Sequence, residues 1–115
     1  MKVLVCGDRN WSNKDTIRKY LASVPNLELV IEGGARGADQ LSKQVALEMN
    51  IPVREYPADW QRYGKAAGPI RNRQMLDVKP DLVIAFHPAI ELSKGTKDCV
   101  TEARHRGISV RVVPA

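Results

Sequence analysis

The chain has 115 residues, 43% hydrophobic and 27% charged, the composition of one ordinary globular domain (1–115) able to bury a core. No apolar run reaches membrane-spanning length and the start "MKVLVCGDRN" turns polar too soon for a signal peptide, so a cytoplasmic protein is expected. The net charge of +5 suits anionic partners such as nucleotides, phosphates or nucleic acid, and equally suits a plain basic surface.

In chain order, "KVLVC" (2–6) is a short apolar run ending at Gly7, the pattern of a fully buried strand. Ser12 and Asp15 have capping-box spacing, and Ile17, Tyr20, Leu21 and Val24 then trace one face of a helix that stops near Pro25. "LELVIE" (27–32) reads as the second strand, and Ala38, Leu41, Val45 and Met49 mark a second helix. "IPVREY" (51–56) is a third strand. Residues 57–68, "PADWQRYGKAAG", form an unusually long connection, the kind that carries function. Pro69 suits the first turn of a third helix over 69–77. "DLVIAF" (81–86) is a buried strand, "HPAIELSK" a loop, 95–106 a fourth helix and "ISVRVV" (108–113) the last strand. Cys6 and Cys99 fit no metal or redox spacing and read as small core residues; His87 and His105 are isolated, so no metal site is expected.

Strands alternating with helices predict an α/β fold with a parallel sheet covered on both faces. Right-handed crossovers make it doubly wound, five strands in the order 3-2-1-4-5. Ligands of such sheets bind outside the carboxyl ends of the strands, near the reversal of strand order. The loops expected there are "GDRN" with Gly7, Asp8 and Arg9, "GGARGAD" with Gly33, Gly34, Arg36, Gly37 and Asp39, and "HPAIELSKGT" with Gly95 and Thr96.

Three glycines at 33, 34 and 37 suggest that something approaches that backbone closely. The loop matches neither the Gly-x-x-x-x-Gly-Lys-Ser/Thr phosphate loop nor the Gly-x-Gly-x-x-Gly fingerprint. Its exposed N–H groups beside a helix start still favour an anion, with Arg36 adding a forked contact to phosphate. A tight strand-to-helix turn with Arg36 in solvent fits the spacing as well. In "GPIRNRQML", Arg71 stands four residues before Met75 and Asn72 shares the face of Met75 and Leu76, so both point inward at the ligand edge or cap neighbouring loops. Arg73 projects elsewhere and reads as a surface residue. Gly95 N–H and the Thr96 hydroxyl suit a phosphate, or Thr96 is a plain helix cap. Trp60 and Tyr63, interleaved with Arg62 and Lys65, suit base stacking or pin the long loop to the sheet.

"GGARGAD", "PADWQRYGKAAGPIRNRQML" and "GTKD", set between apolar strands, resemble the YspA-type (YpsA-related) branch of the SLOG superfamily, over nearly the whole chain from "VLVCGDRNW" to "GISVRVV". The resemblance implies a Rossmann-like domain that binds a nucleotide or nucleotide-derived ligand at the glycine-lined edge, with a homodimer as the expected assembly. The superfamily includes LOG phosphoribohydrolases, which cleave a base from a nucleoside monophosphate, and DprA, which binds single-stranded DNA. By position, Gly33, Gly34 and Gly37 match the phosphate-side loop, Arg71 matches the arginine before a methionine, and Gly95 and Thr96 match the Gly-Thr of the Pro-Gly-Gly-x-Gly-Thr-x-x-Glu motif of LOG enzymes. The Pro-Gly-Gly is missing, and Cys99 stands where that motif has its catalytic glutamate. A thiol does not replace that carboxylate, and Asp98 lies roughly 100° around the helix. The expectation is therefore a nucleotide-binding domain, a sensor or sequestering protein. The enzymatic alternative is N-glycosidic hydrolysis using Asp8, Glu91 or Asp98. The other alternative is DprA-like binding of single-stranded DNA, which a charge spread along the chain does not favour.

Overall fold

A computed structural model describes residues 1–115. The strands are β1 (Lys2–Gly7), β2 (Leu29–Glu32), β3 (Val53–Glu55), β4 (Leu82–Phe86) and β5 (Ser109–Val113). All pair in parallel, in the order β3-β2-β1-β4-β5. The expected topology is the observed one, because each apolar run is long enough for a strand and each intervening amphipathic stretch supplies its crossover.

Side chains alternate across the sheet and divide the core in two. Val3, Val5, Val30, Ile84 and Phe86 face one way, against α1 (Lys14–Ala22) and α2 (Ala38–Glu48). Leu4, Cys6, Ile31, Val83 and Ala85 face the other, against α4 (Ala67–Asp77) and α5 (Gly95–His105). The short α3 (Trp60–Tyr63) buries no residue. No helix is long and apolar enough to cross a membrane.

Local chemistry moves several boundaries. Helix α1 begins at Lys14, because Asn13 Oδ1, and not Ser12, accepts the Thr16 N–H at 3.1 Å. Strand β3 shrinks to three residues. The Pro52 carbonyl accepts from Val30 N–H at 3.0 Å, but proline has no N–H to extend the ladder. The connection 57–68 holds α3 and a 3-10 turn (Gly64–Ala66), and α4 starts two residues before Pro69, which still lies in its first turn. A further 3-10 turn, Ile90–Leu92, lies in the loop after β4.

Phe86 ties the core to the ligand edge. It is fully buried, 5.5 Å from the Trp11 ring and 6.1 Å from Tyr20. Its carbonyl accepts the Asp8 N–H at 2.9 Å, joining the ends of β1 and β4 where strand order reverses. Phe86→Ala is expected to cost about 3–5 kcal/mol of stability, read from urea denaturation.

Candidate functional site

A cavity of about 280 Å³ opens at the carboxyl edge, lined by Arg9, Gly33, Gly34, Ala35, Arg36, Pro57, Ala58, Trp60 and Arg71. It draws on the loops after β1, β2 and β3 and on α4. The loop after β4 contributes nothing, so the site lies over the β1–β3 half of the sheet rather than at the reversal of strand order. Asp8 instead lines a second depression with Asn10, Trp11, Ser12, Asn13, Pro88 and Ala115, on the other side of the β1 loop.

The glycine loop is shaped from within. Asp39 reaches back from the first turn of α2, and its Oδ2 accepts both the Gly33 and Ala35 N–H groups at 3.2 Å. Glu32 Oε1 accepts the Gly34 N–H at 2.8 Å. The amides expected to cradle a phosphate are thus filled by the protein's own carboxylates. These three amides are therefore not free to hold an anion. Burial pushes the Asp39 carboxyl up to about 6, although the Ala35 and Gly33 amides and the Arg71 charge pull it down. It is therefore mostly ionised at neutral pH.

Glu32 is fully buried and opposes Glu55 across the β2–β3 pair. Its Oε2 finds no donor. Burial and the Glu55 carboxylate raise its carboxyl to about 8, since a proton on Glu32 turns repulsion into a hydrogen bond to Glu55. Glu55 is held on its other side by Lys43, at 3.3 Å.

Arg71 crosses from α4 onto the loop. Its Nη1 donates to the Gly33 carbonyl at 2.7 Å and to the Tyr56 carbonyl at 3.5 Å, and its Nε donates to Asn72 Oδ1 at 3.1 Å. A Cβ at residue 33 would occupy the space of that guanidinium and come within 3.0 Å of Asp39 Oδ2. This is the close approach that Gly33 permits. Gly37 answers a different need. At φ 75°, a Cβ there would meet the Asp8 carbonyl and the Arg9 backbone, at 2.5 Å from Arg9 C. Without one, α2 starts hard against the β1 loop, which sets Arg9 and Arg36 on one cavity.

Of the expected site residues, Arg9, Gly33, Gly34, Arg36, Arg71 and Trp60 meet at the cavity. The others do not. Gly7 is where a Cβ would strike the Phe86 carbonyl. Gly37 and Asp39 shape the loop from behind. Asn72 is buried, and its Nδ2 donates to the Gly95 carbonyl at 3.2 Å and to Asp98 Oδ2 at 3.0 Å, so it joins α4 to α5. Arg73 stays half exposed but also reaches Asp98 Oδ2, at 3.3 Å. Gly95 and Thr96 lie at the start of α5, off the cavity, and Ser93 Oγ, not Thr96, caps that helix by accepting the Thr96 N–H at 3.0 Å. Tyr63 does not line the cavity, and the Arg62 guanidinium lies 5.1 Å from its ring.

The three candidate acids are also scattered. Asp8 Oδ1 accepts the Asn10 N–H at 3.0 Å, Glu91 is exposed and pairs with Lys97 at 3.3 Å, and Asp98 is held in the α4–α5 seam. No carboxylate lines the arginine cavity. Cys99 is fully buried, and beside it Cys6 has its thiol pushed well up by contact with Cys99 and by burial. Both are inert core residues, as expected. Sequence reasoning missed Ala35, Pro57 and Ala58 as wall residues and Glu32 as a loop holder. A glutamate closing the buried run "LVIE" just before two glycines was the available signal.

The model of the YspA, cpYpsA-related SLOG family matches residues 1–63. The Gene 61 protein of Mycobacterium phage D29 is 36% identical over 118 residues, covering 95% of this chain and 93% of that protein. The X-ray structure of DNA processing protein A (DprA) from Streptococcus pneumoniae superposes with a TM-score of 0.77 at 20% identity, over 99% of this chain and 50% of DprA's. The chain therefore spans half of that structure, and the likeness is one of fold.

Two outcomes follow from the loop geometry. Gly37→Ala, strained at positive φ and pressed on backbone, is expected to lose more than about 1 kcal/mol of stability, whereas Gly33→Ala displaces only the tip of Arg71 and leaves the melting temperature near wild type. Thermal melts of both variants check this. The raised Glu32 carboxyl means the folded chain binds that proton more tightly than the unfolded chain. Its contribution to stability is complete below the ordinary 4.5 and is lost as pH climbs through about 8. Wild type is expected to lose melting temperature progressively between about pH 4.5 and about pH 8, the interval between the unfolded and folded values, and Glu32→Gln to flatten the profile.

Proposed function

The chain belongs to the YspA, cpYpsA-related SLOG family, and we propose that it binds, and so senses or sequesters, a nucleotide or nucleotide-derived metabolite in the arginine-lined cavity. The observation that carries this reading is the wall itself: Arg9, Arg36 and Arg71, no carboxylate, and Trp60 at one side. None of the three arginines takes part in an ion pair of the protein. Guanidinium groups meet phosphate oxygens through forked, charge-assisted hydrogen bonds. The indole of Trp60, 58% exposed, offers a face on which a base stacks. The cavity volume is near the lower bound of roughly 300 Å³ for small-molecule sites, which suits one nucleotide.

Hydrolysis of an N-glycosidic bond requires an acid at the scissile bond, and Asp8, Glu91 and Asp98 all lie elsewhere. Binding without turnover is the better reading. A second reading, single-stranded DNA, draws support from the exposed Trp60 and Tyr63 with Arg62 and Lys65 alongside. The DNA-processing role printed for the DprA neighbour belongs to that protein and adds a fold-level analogy only.

Calorimetry with AMP, GMP, CMP and UMP tests the proposal. Arg36→Ala is expected to weaken binding by about 1.5–3 kcal/mol, the range for hydrogen bonds to charged groups. Trp60→Ala is expected to cost about 1–3 kcal/mol through lost stacking. Chromatography should recover the nucleotide intact. Release of free base with turnover would make the protein a hydrolase, and tight binding of a labelled oligonucleotide at physiological salt would move it to the DNA reading.

A further inference from the structure

The segment from Pro57 to Ala66 walls the cavity without belonging to the core. It contributes Pro57, Ala58 and Trp60 to the lining, yet none of its residues is buried. Its hydrogen bonds are mostly internal. Asp59 Oδ1 accepts the Arg62 N–H at 3.1 Å, the Asp59 carbonyl accepts the Tyr63 N–H at 3.0 Å, and the Trp60 carbonyl accepts the Gly64 N–H. No ion pair links the segment to the rest of the protein.

Its two ends are fixed. On one side the Tyr56 N–H donates to the Glu32 carbonyl at 2.9 Å, and the tyrosine packs on the second core cluster. On the other, Ala67 is buried at the start of α4. Between these anchors lies a self-capped turn of helix tied to α4 only lightly, by the Ala67 N–H donating to the Gly64 carbonyl and by the Trp60 ring against Gly68, the condition for low local stability. Gly64, at φ 55° with open space around it, sits next to the second anchor.

We propose that Pro57–Ala66 is a cap that closes over the occupied cavity, hinged at Tyr56 and Ala67 and laying the Trp60 indole on the ligand. The proposal rests on the nucleotide reading of the cavity. Closure removes the exposed apolar face of Trp60 from water. It also excludes solvent from the arginine–phosphate contacts, which strengthens them. Without a ligand, neither gain is available, and the cap stays open.

Arg62 and Lys65, both exposed on the cap, make trypsin the probe. The wild-type protein is digested with and without whichever of AMP, GMP, CMP and UMP binds by calorimetry, and fragments are mapped by mass spectrometry. At about a hundred times Kd, cleavage after Arg62 and Lys65 is expected to slow by about tenfold or more, with cleavage after Lys94, exposed and away from the cavity, unchanged. Trp60→Ala should lose most of that protection. In Trp11→Phe, where Trp60 is the sole tryptophan, acrylamide quenching should fall on binding; if that variant fails to fold, the wild-type digest decides. Calorimetric binding without protection of the cap overturns the closure and leaves the nucleotide reading standing. Absence of binding by all four nucleotides overturns both.

Discussion

The carboxylate of Asp39 sits where an incoming anion would otherwise go. By accepting the Gly33 and Ala35 amides from behind the loop, it fixes the turn between β2 and α2 before any ligand arrives. Its charge is held in a buried place, and two amides and the nearby Arg71 offset the cost of keeping it there. The loop is thereby a finished surface rather than an empty cradle. What it presents to the cavity is the Gly33 carbonyl, and that carbonyl is what anchors Arg71.

From this anchor the rest of the edge follows. Arg71 is positioned on one side by Gly33 and on the other by Asn72, which in turn holds the start of α5 through the Gly95 carbonyl and Asp98. Gly37 lets α2 press against the β1 loop and so places Arg9 beside Arg36. Of the cavity's three arginines, Arg71 is thereby held in a fixed position, while Arg9 and Arg36 stay exposed at the rim. The two glycines serve opposite partners, one a side chain and one a backbone.

The fold was readable because hydrophobic period and crossover rules act over whole segments. Each strand is a run such as "KVLVC" or "DLVIAF" whose alternate residues divide between the two core clusters. Boundaries were less readable, since they turn on single hydrogen bonds such as Asn13 capping in place of Ser12. At the site, Arg36, Arg71 and the glycines were visible as residue types out of place in a turn. Asp39 and Glu32 were not visible in their roles, because nothing in a sequence says which carboxylate folds back to fill which amide. Gly95 and Thr96 matched a motif by position, yet here they share an edge with the cavity and not its wall. Motif position records ancestry of the backbone, and the local side chains decide whether a pocket reaches it.

The burial of Cys99 bears on what this scaffold can become. At the position where LOG enzymes carry their glutamate, this chain packs a fully enclosed sulfur among Leu4, Met75, Leu76 and Val100. A glutamate introduced there would enter a dry, apolar space with no cation facing it. The penalty for an unpaired buried carboxylate is several kcal/mol, comparable to the whole stability of a small domain. A single Cys99→Glu change is therefore not enough to seat a working carboxylate in this core. Seating one there would require α5 to be lifted from the sheet and the seam beneath it rebuilt with polar partners, because the sulfur-lined face is part of what holds the fold together.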